Sequence, residues 1–399
     1  MTFTTSKVWQ TTSKGGKTII SNILTGRSFS VEIHIKSLLD FCQTAKTEED
    51  IVAHLKRFIP STSIDATISI LLRHKILISD EDEVFVDTIP ANPTLWGCTH
   101  SISPNTKIVI LGAPFGLGNA EDIRCKNFPF HLRTFVQSYY SYKKQVENLD
   151  KLDPMVVSSW FDFSNFKKIL RGKSMADIGD VIFYCGETPE MFYTRLKKIT
   201  KDIIKNEVIP ICVGGDHSIT YPIIAAFNEI NKPFVVLHFD AHADMKSGVV
   251  MKLHELSGRK LVNHANVIKH IMGFDNVEHI YQVGVREPFL YENKNITRIS
   301  IQDVNHSKYA EIIKEIDKPI YITFDVDFFD PSLVPGTATP LPNGGDYNNT
   351  FQFLAQVLKH KCILGVDIVE ANPALDIRNS TTLLVNNLLM QIISQIKIK

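Results

Sequence analysis

The stretch "PFVVLHFDAHAD" (residues 233–244) decides how this chain folds. Its first half is apolar apart from His238, which we interpret as a core or surface residue, and Asp240, His242 and Asp244 follow at alternating positions. A continuous apolar run is typical of a strand covered on both faces, as in a parallel sheet. Ligands bind beyond the carboxyl ends of such strands. The stretch therefore predicts a buried strand that delivers polar side chains to the functional edge of an α/β sheet.

Six other apolar segments between about residue 106 and the C-terminus share this character. They are "KIVILGAPF" (107–115), "DVIFYC" (180–185), "VIPICVGG" (208–215), "HIYQVGV" (279–285), "PIYITFDVD" (319–327) and "CILGVDIVE" (362–370). Segments of helix length separate most of them. This alternation of strands and helices predicts an α/β layered domain over residues 106–399.

Residues 1–92 follow a different pattern and predict a small α+β domain. Short strand-like runs with turn signals, such as "KTIISNIL" (17–24), precede three helical patterns. The second helical pattern starts after Thr47, an N-cap residue that is followed by acids in the first turn. Small helices flanked by strands indicate a winged-helix-like module. The segment "TIPANPTLWG" (88–97) is typical of a linker, which we place at residues 93–105.

The composition argues against several classes of function. The chain has 399 residues with 43 basic and 43 acidic side chains, so its zero formal charge points to neither nucleic acid nor membrane. No apolar run reaches the length of a membrane-spanning helix, and the first residues lack an apolar signal core. The six cysteines form no CxxC pair, which favours reduced thiols in a cytoplasmic protein.

Acidic side chains and imidazoles cluster at four predicted strand ends. The candidates are His217, Asp240, His242, Asp244, Asp325, Asp327 and Glu370. Several carboxylates at one edge are unfavourable without cations to neutralise them. Four aspartates and two histidines suit two divalent cations bridged by Asp240 and Asp325, and the oxygen-rich set favours Mn²⁺. A single such pair is usually a cap or a surface acid, but several pairs on neighbouring elements favour a metal site.

The ordered motifs of this region resemble the arginase/agmatinase (ureohydrolase) superfamily of binuclear manganese hydrolases. The motifs are "GAPFGLG" (112–118), "NFPFHLR" (127–133), "DIGDV" (177–181), "GGDHS" (214–218), "DAHAD" (240–244), "QVGVR" (282–286), "FDVDFFDPSLVPGTATP" (324–340) and "VDIVEANP" (366–373). The resemblance implies a three-layer α/β/α fold around an eight-stranded parallel sheet. It also implies one Mn²⁺ held by His217, Asp240, Asp244 and Asp325, and a second held by His242, Asp240, Asp325 and Asp327.

The superfamily's reaction is hydrolysis of a guanidino group to an amine and urea, and the resemblance implies roles for further residues. Asp244 would orient the attacking nucleophile, and Glu370 would offer a carboxylate to the planar guanidinium. Either His264 or His254 would carry a proton to the leaving amine. The context favours His264, because it stands just before a predicted helix and at the expected separation from the "QVGVR" segment.

Two positions depart from the pattern of the enzymes that act on free arginine. Lys246 and Phe289 stand where those enzymes have an asparagine and an aspartate that grip the amino-acid end of the substrate. Lys246 is either a contact for a substrate carboxylate or a solvated loop residue, and His254 is a further candidate substrate contact. The departures disfavour free arginine and favour arginine within a peptide, converted to ornithine. The alternative is a free guanidino compound such as agmatine, arginine or a guanidino acid.

The N-terminal domain also bears on the substrate. Residues 1–92 carry ten basic and eleven acidic side chains, a balance that disfavours DNA binding. They are loosely similar to small peptide-docking domains, which bind a leader segment as an added strand. A docked leader peptide is therefore one candidate partner, and a role in oligomerisation or stabilisation is the alternative; a metal-sensing DNA-binding regulator is more distant. We expect a homo-oligomer with no nucleic-acid or membrane partner.

Overall fold

The computed structural model of the chain comprises two compact units, Met1–Ile89 and Pro90–Lys399. It describes all residues except 1, 7–8, 15–16, 23–27, 74–75, 80–86, 140–160, 185, 231, 247–261, 289–292, 307–308 and 398–399. The boundary between the units lies three residues before the predicted domain end at 92.

The first unit combines short strands with three helices. Its strands are β1 (Thr2–Thr5), β2 (Trp9–Lys14), β3 (Lys17–Asn22), β4 (Ser28–Val31), β5 (Lys46–Thr47), β6 (Leu77–Ser79) and β7 (Thr88–Ile89), and its helices are α1 (Ile33–Phe41), α2 (Glu48–Leu55) and α3 (Ser61–Arg73). β2, β3 and β4 form an antiparallel meander, and β1 pairs antiparallel with β5 and β6. Helix α2 begins at the predicted cap, where Asp50 N–H donates to Thr47 Oγ1 (3.2 Å) and Thr47 N–H donates to Asp50 (3.1 Å).

The second unit is built on parallel strands with helices between them. Its strands are β8 (Ile108–Ala113), β9 (Met175–Val181), β10 (Ile209–Gly214), β11 (Phe234–Phe239), β12 (Val277–Val283), β13 (Ile296–Ile299), β14 (Ile320–Asp325) and β15 (Ile363–Val369). Its helices are α4 (Phe128–Tyr139), α5 (Phe163–Arg171), α6 (Pro189–Lys205), α7 (Thr220–Asn228), α8 (Val267–Ile271), α9 (Ile301–Asn305), α10 (Ala310–Glu315), α11 (Tyr347–His360) and α12 (Ser380–Gln395). These eight strands lie side by side in the order β13-β12-β11-β14-β15-β10-β8-β9, all parallel. The α/β class predicted from the sequence is confirmed.

The central strands have no solvent-facing side. Every residue of β8, β11 and β14 is buried. Between β11 and β14 the rings of Phe239 and Phe324 stack with centroids 4.7 Å apart, and such aromatic pairs stabilise a core beyond the area that they bury. Because these strands are packed on both faces, the backbone at their carboxyl ends is held in a fixed position.

Three sequence predictions differ from the structure. The predicted strand "DVIFYC" (180–185) is wrong. The strand in this region is β9 (Met175–Val181), whose more polar sequence "MADIGDV" pairs with β8. Strand β13 was not predicted, because "ITRI" is short and half polar. The predicted linker 93–105 is packed into the second unit: the indole N–H of Trp96 donates to Asn386 Oδ1 (3.1 Å), and both Leu95 and Trp96 are buried.

No helix within the described ranges combines the length and apolarity that a bilayer crossing requires. The described cysteines are all free: Cys42, Cys98, Cys125 and Cys212 are buried, and Cys362 is exposed. Their state agrees with the expectation of unpaired thiols.

A buried ion-pair group ties helix α4 to strand β9 of the sheet. Arg133 is 3% exposed and donates to both carboxylate oxygens of Asp177 at 2.8 Å, and it also donates to Asp180. We expect Arg133→Leu to lower the free energy of unfolding by about 3–5 kcal/mol, because it leaves two acids without a cation. Urea unfolding followed by circular dichroism measures this loss.

Arg124→Leu is the matched control, since the Arg124 side chain is 52% exposed and pairs with Asp122 at the surface. Its loss should be much smaller than that of Arg133→Leu, because solvent screens an exposed ion pair. Equal destabilisation by the two variants would show that the buried ion-pair group stabilises the fold no more than an exposed ion pair does.

Candidate metal centre

Four neighbouring strands end at one place on the sheet. In the order β11-β14-β15-β10 their carboxyl ends are adjacent, so side chains that follow them meet. Asp240 comes directly after β11 and Asp325 is the last residue of β14. Glu370 follows β15, and His217 opens a 3-10 turn (His217–Ile219) after β10. The structure thus brings these predicted site residues to a single edge, as the rule for parallel sheets requires.

The ring of His217 sits among three carboxylates. Its Nδ1 atom lies 3.1 Å from Asp240, 2.8 Å from Asp244 and 3.5 Å from Asp325. The same atom is buried and makes no hydrogen bond. Burial alone would lower the pKa of His217, but the three aspartates raise it well above its usual value. An orphaned imidazole nitrogen surrounded by carboxylate oxygens fits a divalent cation, which binds to both kinds of ligand.

A second group adjoins the first and shares Asp240 with it. His242 Nδ1 lies 3.0 Å from Asp327 Oδ2 and 3.5 Å from Asp240 Oδ1. Asp240 and Asp327 raise the pKa of His242 to about 12 against the opposing effect of burial. Asp325 joins the two groups, since its Oδ1 atom accepts the Asp327 N–H at 2.9 Å and its Oδ2 atom faces His217. All six predicted ligands therefore lie in one cluster.

Two acids of this cluster, Asp325 and Asp327, resist ionisation when no cation is bound. Burial, followed by the charges of Asp327 and Asp240, raises the pKa of Asp325 well above its usual range. Burial and Asp240 raise the pKa of Asp327 to about 6. Cations would relieve both effects by neutralising the charge. The donor set of four carboxylates and two imidazoles, with no thiolate, is the kind that suits a hard divalent ion.

Two site residues have strained backbones. Asp244 has φ of 51° and Glu370 has φ of 63°, both in the left-handed region that non-glycine residues seldom adopt. Each costs on the order of 1 kcal/mol or more, and such strain is concentrated at functional sites. With this left-handed turn after "DAHA", the Asp244 carboxylate lies 2.8 Å from His217 Nδ1.

His264 lies at the cluster, and its position follows from two loop contacts. The His264 N–H donates to the Gly118 carbonyl at 3.1 Å, and the Lys246 N–H donates to the Ala265 carbonyl at 2.9 Å. Its Nε2 atom is 3.1 Å from Glu121 and its Nδ1 atom is 3.6 Å from Glu370. Burial would lower the pKa of His264, but Glu370 raises it to about 9. The other predicted proton carrier, His254, lies outside the described residues.

Glu370 supports the site from beneath its surface. It is 2% exposed, and its two oxygens accept from the His217 N–H (2.9 Å) and from the Asn119 amide (2.7 Å). The neighbouring cleft has a volume of about 360 Å³, and its lining includes His242, Asp244, Lys246, His264, Asp325 and Asp327 but not Glu370. Lys246 is 47% exposed at this cleft, with its Nζ atom 4.0 Å from Glu287. Phe289 is outside the described residues.

Sequence reasoning missed several residues that hold the ligands. His238, predicted as a core or surface residue, is fully buried with Nε2 only 2.8 Å from Asp240 Oδ2, and Gln282 lies at its other nitrogen (3.3 Å). The available signal was position: His238 precedes Asp240 by two residues and so shares its face of the strand. Asn119 and Glu121 carried no such signal, because loop contacts place them.

Fold and site together define an α/β protein with a His/Asp cluster that could hold a metal ion at the carboxyl edge of a parallel sheet. Residues 106–394 match the Arginase family. The chain is 30% identical over 234 residues to a mitochondrial guanidino acid hydrolase of Homo sapiens (55% of this chain, 63% of that protein). It is 29% identical over 221 residues to an agmatinase of Blochmanniella floridana (52% and 66%). The chain thus spans slightly less than two thirds of the length of each of these two relatives.

A solved structure shows the same fold. Proclavaminate amidino hydrolase from Streptomyces clavuligerus superposes with a TM-score of 0.61 at 20% identity, covering 77% of this chain and 96% of that one. The family match extends over most of the chain, including every predicted metal ligand. The chain belongs to the arginase family.

Cation binding should release protons. Its carboxylate neighbours raise the pKa of His217 well above its usual value despite burial, so a proton on this ring competes with a cation for the site. A cation must displace that proton, and affinity for Mn²⁺ should therefore rise with pH, about tenfold per unit for each proton released. Titration calorimetry in two buffers with different ionisation enthalpies measures the protons released. Equal binding heats in the two buffers would contradict this prediction.

Proposed function

We propose that this chain is a manganese-dependent ureohydrolase with two Mn²⁺ ions, which hydrolyses a guanidino group to an amine and urea, and that its substrate is an arginine side chain within a peptide. The observation that carries the reaction class is the geometry around His217, whose unbonded Nδ1 atom is surrounded by three carboxylates. Membership of the arginase family supports the same chemistry. Mn²⁺ is proposed because the donor set is rich in oxygen.

The residues of the cleft supply the remaining functions. Two divalent cations here would acidify water for attack near neutral pH and stabilise developing charge. Asp244 lines the cleft and orients the attacking water. A bond forms between the water oxygen and the guanidino carbon, and the bond from that carbon to the substituted nitrogen breaks. His264, protonated at neutral pH, donates a proton to the departing amine. Glu370 holds His264 in place, and a contact of Glu370 with the guanidinium is part of the proposal.

The cleft gives a reason to place the arginine in a peptide. Free-arginine enzymes of the superfamily grip the amino-acid end of the substrate, and the residue at one of those positions is Lys246. Its Nζ atom lies near Glu287, so a nearby acid already attracts its charge. A substrate whose α-amine and α-carboxylate are in peptide bonds has no need of such a grip.

The first unit offers a groove for an extended chain. A cavity of about 270 Å³ is lined by Thr67 and by seven apolar side chains, most of them from β3, β4, α1 and α3; the apolar residues are Ile20, Phe29, Val31, Ile35, Ile70, Leu71 and Ile76. β4 is an outer strand of the β2-β3-β4 meander. Peptide-binding domains commonly add an extended ligand beside a strand, with pockets for alternate side chains. This groove supports the proposal of a leader segment docked on residues 1–92.

A panel of substrates tests the proposal. The manganese-loaded protein is incubated with free arginine, agmatine, a guanidino acid and a peptide that carries an arginine after a leader segment. The expected result is that the peptide loses CH₂N₂ for each arginine, with urea released in equal amount. If only agmatine or a guanidino acid released urea, the substrate would be a free small molecule and not a peptide. The two relatives, an agmatinase and a guanidino acid hydrolase, support that alternative. No urea from any guanidino compound would overturn the reaction class.

The groove makes a separate prediction. Ile70 is 52% exposed on α3, so Ile70→Asp should leave the fold intact while placing a charge in the apolar groove. We expect KM for the leader-bearing peptide to rise by about tenfold or more, equivalent to about 1.4 kcal/mol of lost binding, with kcat unchanged. Asp65→Asn, an exposed change on the same helix, is the control. An unchanged KM for Ile70→Asp would remove the docking role.

Two further expectations belong to this proposal. We infer a cytoplasmic location, which the buried free thiols support, since cytosolic proteins keep their cysteines reduced. We also retain the homo-oligomer as a prediction, together with the absence of nucleic-acid and membrane partners. Sedimentation of the purified protein measures its assembly state.

A further inference from the structure

One buried acid near the site has no part in the chemistry described above. Asp367 lies in the middle of β15 with 0% exposure, and it faces Thr323 across the pairing of β14 with β15. Both side chains are inside the sheet's core, where an acid is unfavourable unless its oxygens are hydrogen-bonded. Asp367 reaches His217 through Thr323, so any effect of this acid on the site acts through His217.

The Thr323 hydroxyl has three partners: Asp367, His217 and Thr220, whose Oγ1 atom is 3.2 Å from Thr323 Oγ1. Thr323 Oγ1 donates to Asp367 Oδ1 at 2.6 Å, and the Tyr321 hydroxyl donates to Asp367 Oδ2 at 2.6 Å. A hydroxyl has one hydrogen. Thr323 has given its hydrogen to Asp367, so it can only accept from His217 Nε2, which is 2.9 Å away.

The tautomer of His217 follows from this chain of bonds. With a hydrogen on Nε2, the neutral ring has its lone pair on Nδ1, the atom that faces Asp240, Asp244 and Asp325. A metal-binding histidine generally needs such a partner on its other nitrogen, which fixes the ring and makes it a better ligand. Without Thr323, the ring could carry its hydrogen on Nδ1 and present no lone pair to a cation.

We propose that Thr323 and Asp367 are positioning residues that fix the tautomer of His217 and so determine how tightly one of the two cations is held. This inference rests on the proposed function in requiring that the cluster binds cations. Neither residue touches substrate. Loss of such a partner typically weakens a metal site by about 10- to 100-fold.

Thr323→Val and Thr323→Ser form the test pair, because valine keeps the shape of threonine without the hydroxyl, and serine keeps the hydroxyl. Mn²⁺ binding is measured on the folded proteins by titration calorimetry, with metal content after gel filtration as a second readout. We expect Thr323→Val to bind one of its two cations about 10- to 100-fold more weakly, and Thr323→Ser to match the natural protein. Tyr321→Phe removes the other donor to Asp367 and should not weaken either cation by a comparable factor.

Asp367→Asn gives an independent route, since it keeps the side-chain shape, and it should weaken the same cation. If the natural protein binds two cations and Thr323→Val binds both equally tightly, the positioning role is overturned while the proposed function stands. If the natural protein binds no cation at all, both are overturned. Weakening by Thr323→Val with recovery in Thr323→Ser supports the role.

Discussion

Asp325→Asn is expected to lower kcat by about three orders of magnitude or more. The Asp325 carboxylate links the two halves of the cluster, with one oxygen toward His217 and the other accepting the Asp327 N–H at 2.9 Å. Asparagine retains the second contact but removes the charge that a bridging cation ligand supplies. Cation pairs contribute several kcal/mol to the stabilisation of a transition state, and each 1.36 kcal/mol is a factor of ten in rate. Urea release and bound manganese are measured together.

The fold should survive this substitution. Burial and neighbouring acids raise the pKa of Asp325, so its charged form is unfavourable in the cation-free protein and a neutral asparagine there should cost little stability. We expect the thermal midpoint of the cation-free variant to equal or exceed that of the natural chain, and bound Mn²⁺ to fall from two per chain to one or none. Asp65→Asn, an exposed change in the first unit, is the control for charge removal. Two tightly bound Mn²⁺ ions with a normal kcat would contradict the bridging role.

His264→Asn should lower kcat by about 10²- to 10⁴-fold, the usual contribution of a positioned acid or base. The imidazole lines the cleft between Glu121 and Glu370, and Glu370 raises its pKa to about 9. It is therefore protonated at neutral pH and suited to donate a proton to the departing amine. In the natural protein, kcat should fall as the pH rises through about 9, because the donor then loses its proton. The variant should lack this alkaline decline.

Exogenous imidazole provides the sharper form of this test. In His264→Ala it should restore part of the lost kcat, whereas a residue with only a structural role would not be rescued. His360→Asn, an exposed change at the end of α11, is the matched control and should have no effect. An unchanged kcat in His264→Asn would transfer the proton-carrying role to another residue.

The clustering of the candidate ligands could be predicted from sequence because two simple rules govern it. Alternation along an extended strand predicts Asp240 and His242 on one face, and parallel strands bring Asp240, Asp325 and Glu370 to one edge without knowledge of the strand order. The strand order itself could not be read from the sequence. It decides that β15 lies beside both β14 and β10, and so it alone brings Asp367 behind His217.

Loop contacts were equally hidden from sequence reasoning. Gly118 accepts no side chain without a clash: a Cβ there would lie 2.5 Å from Ser218 Oγ, and its N–H donates to Asp216 at 2.7 Å. This close approach brings the segment with Asn119 and Glu121 against the site. Nothing in the spacing of "GAPFGLGNAED" specifies that contact. Substrate preference depends on such loops, which is why the reaction class could be predicted more securely than the substrate.

The left-handed backbones of Asp244 and Glu370 lower the stability of the fold at the candidate site. Glycine would adopt φ near 51° without the steric cost. In the cation-free state, Asp244→Gly should therefore raise the free energy of unfolding while abolishing the proposed activity. Selection for stability alone would favour glycine at position 244. An aspartate at this position is therefore consistent with selection for the proposed function.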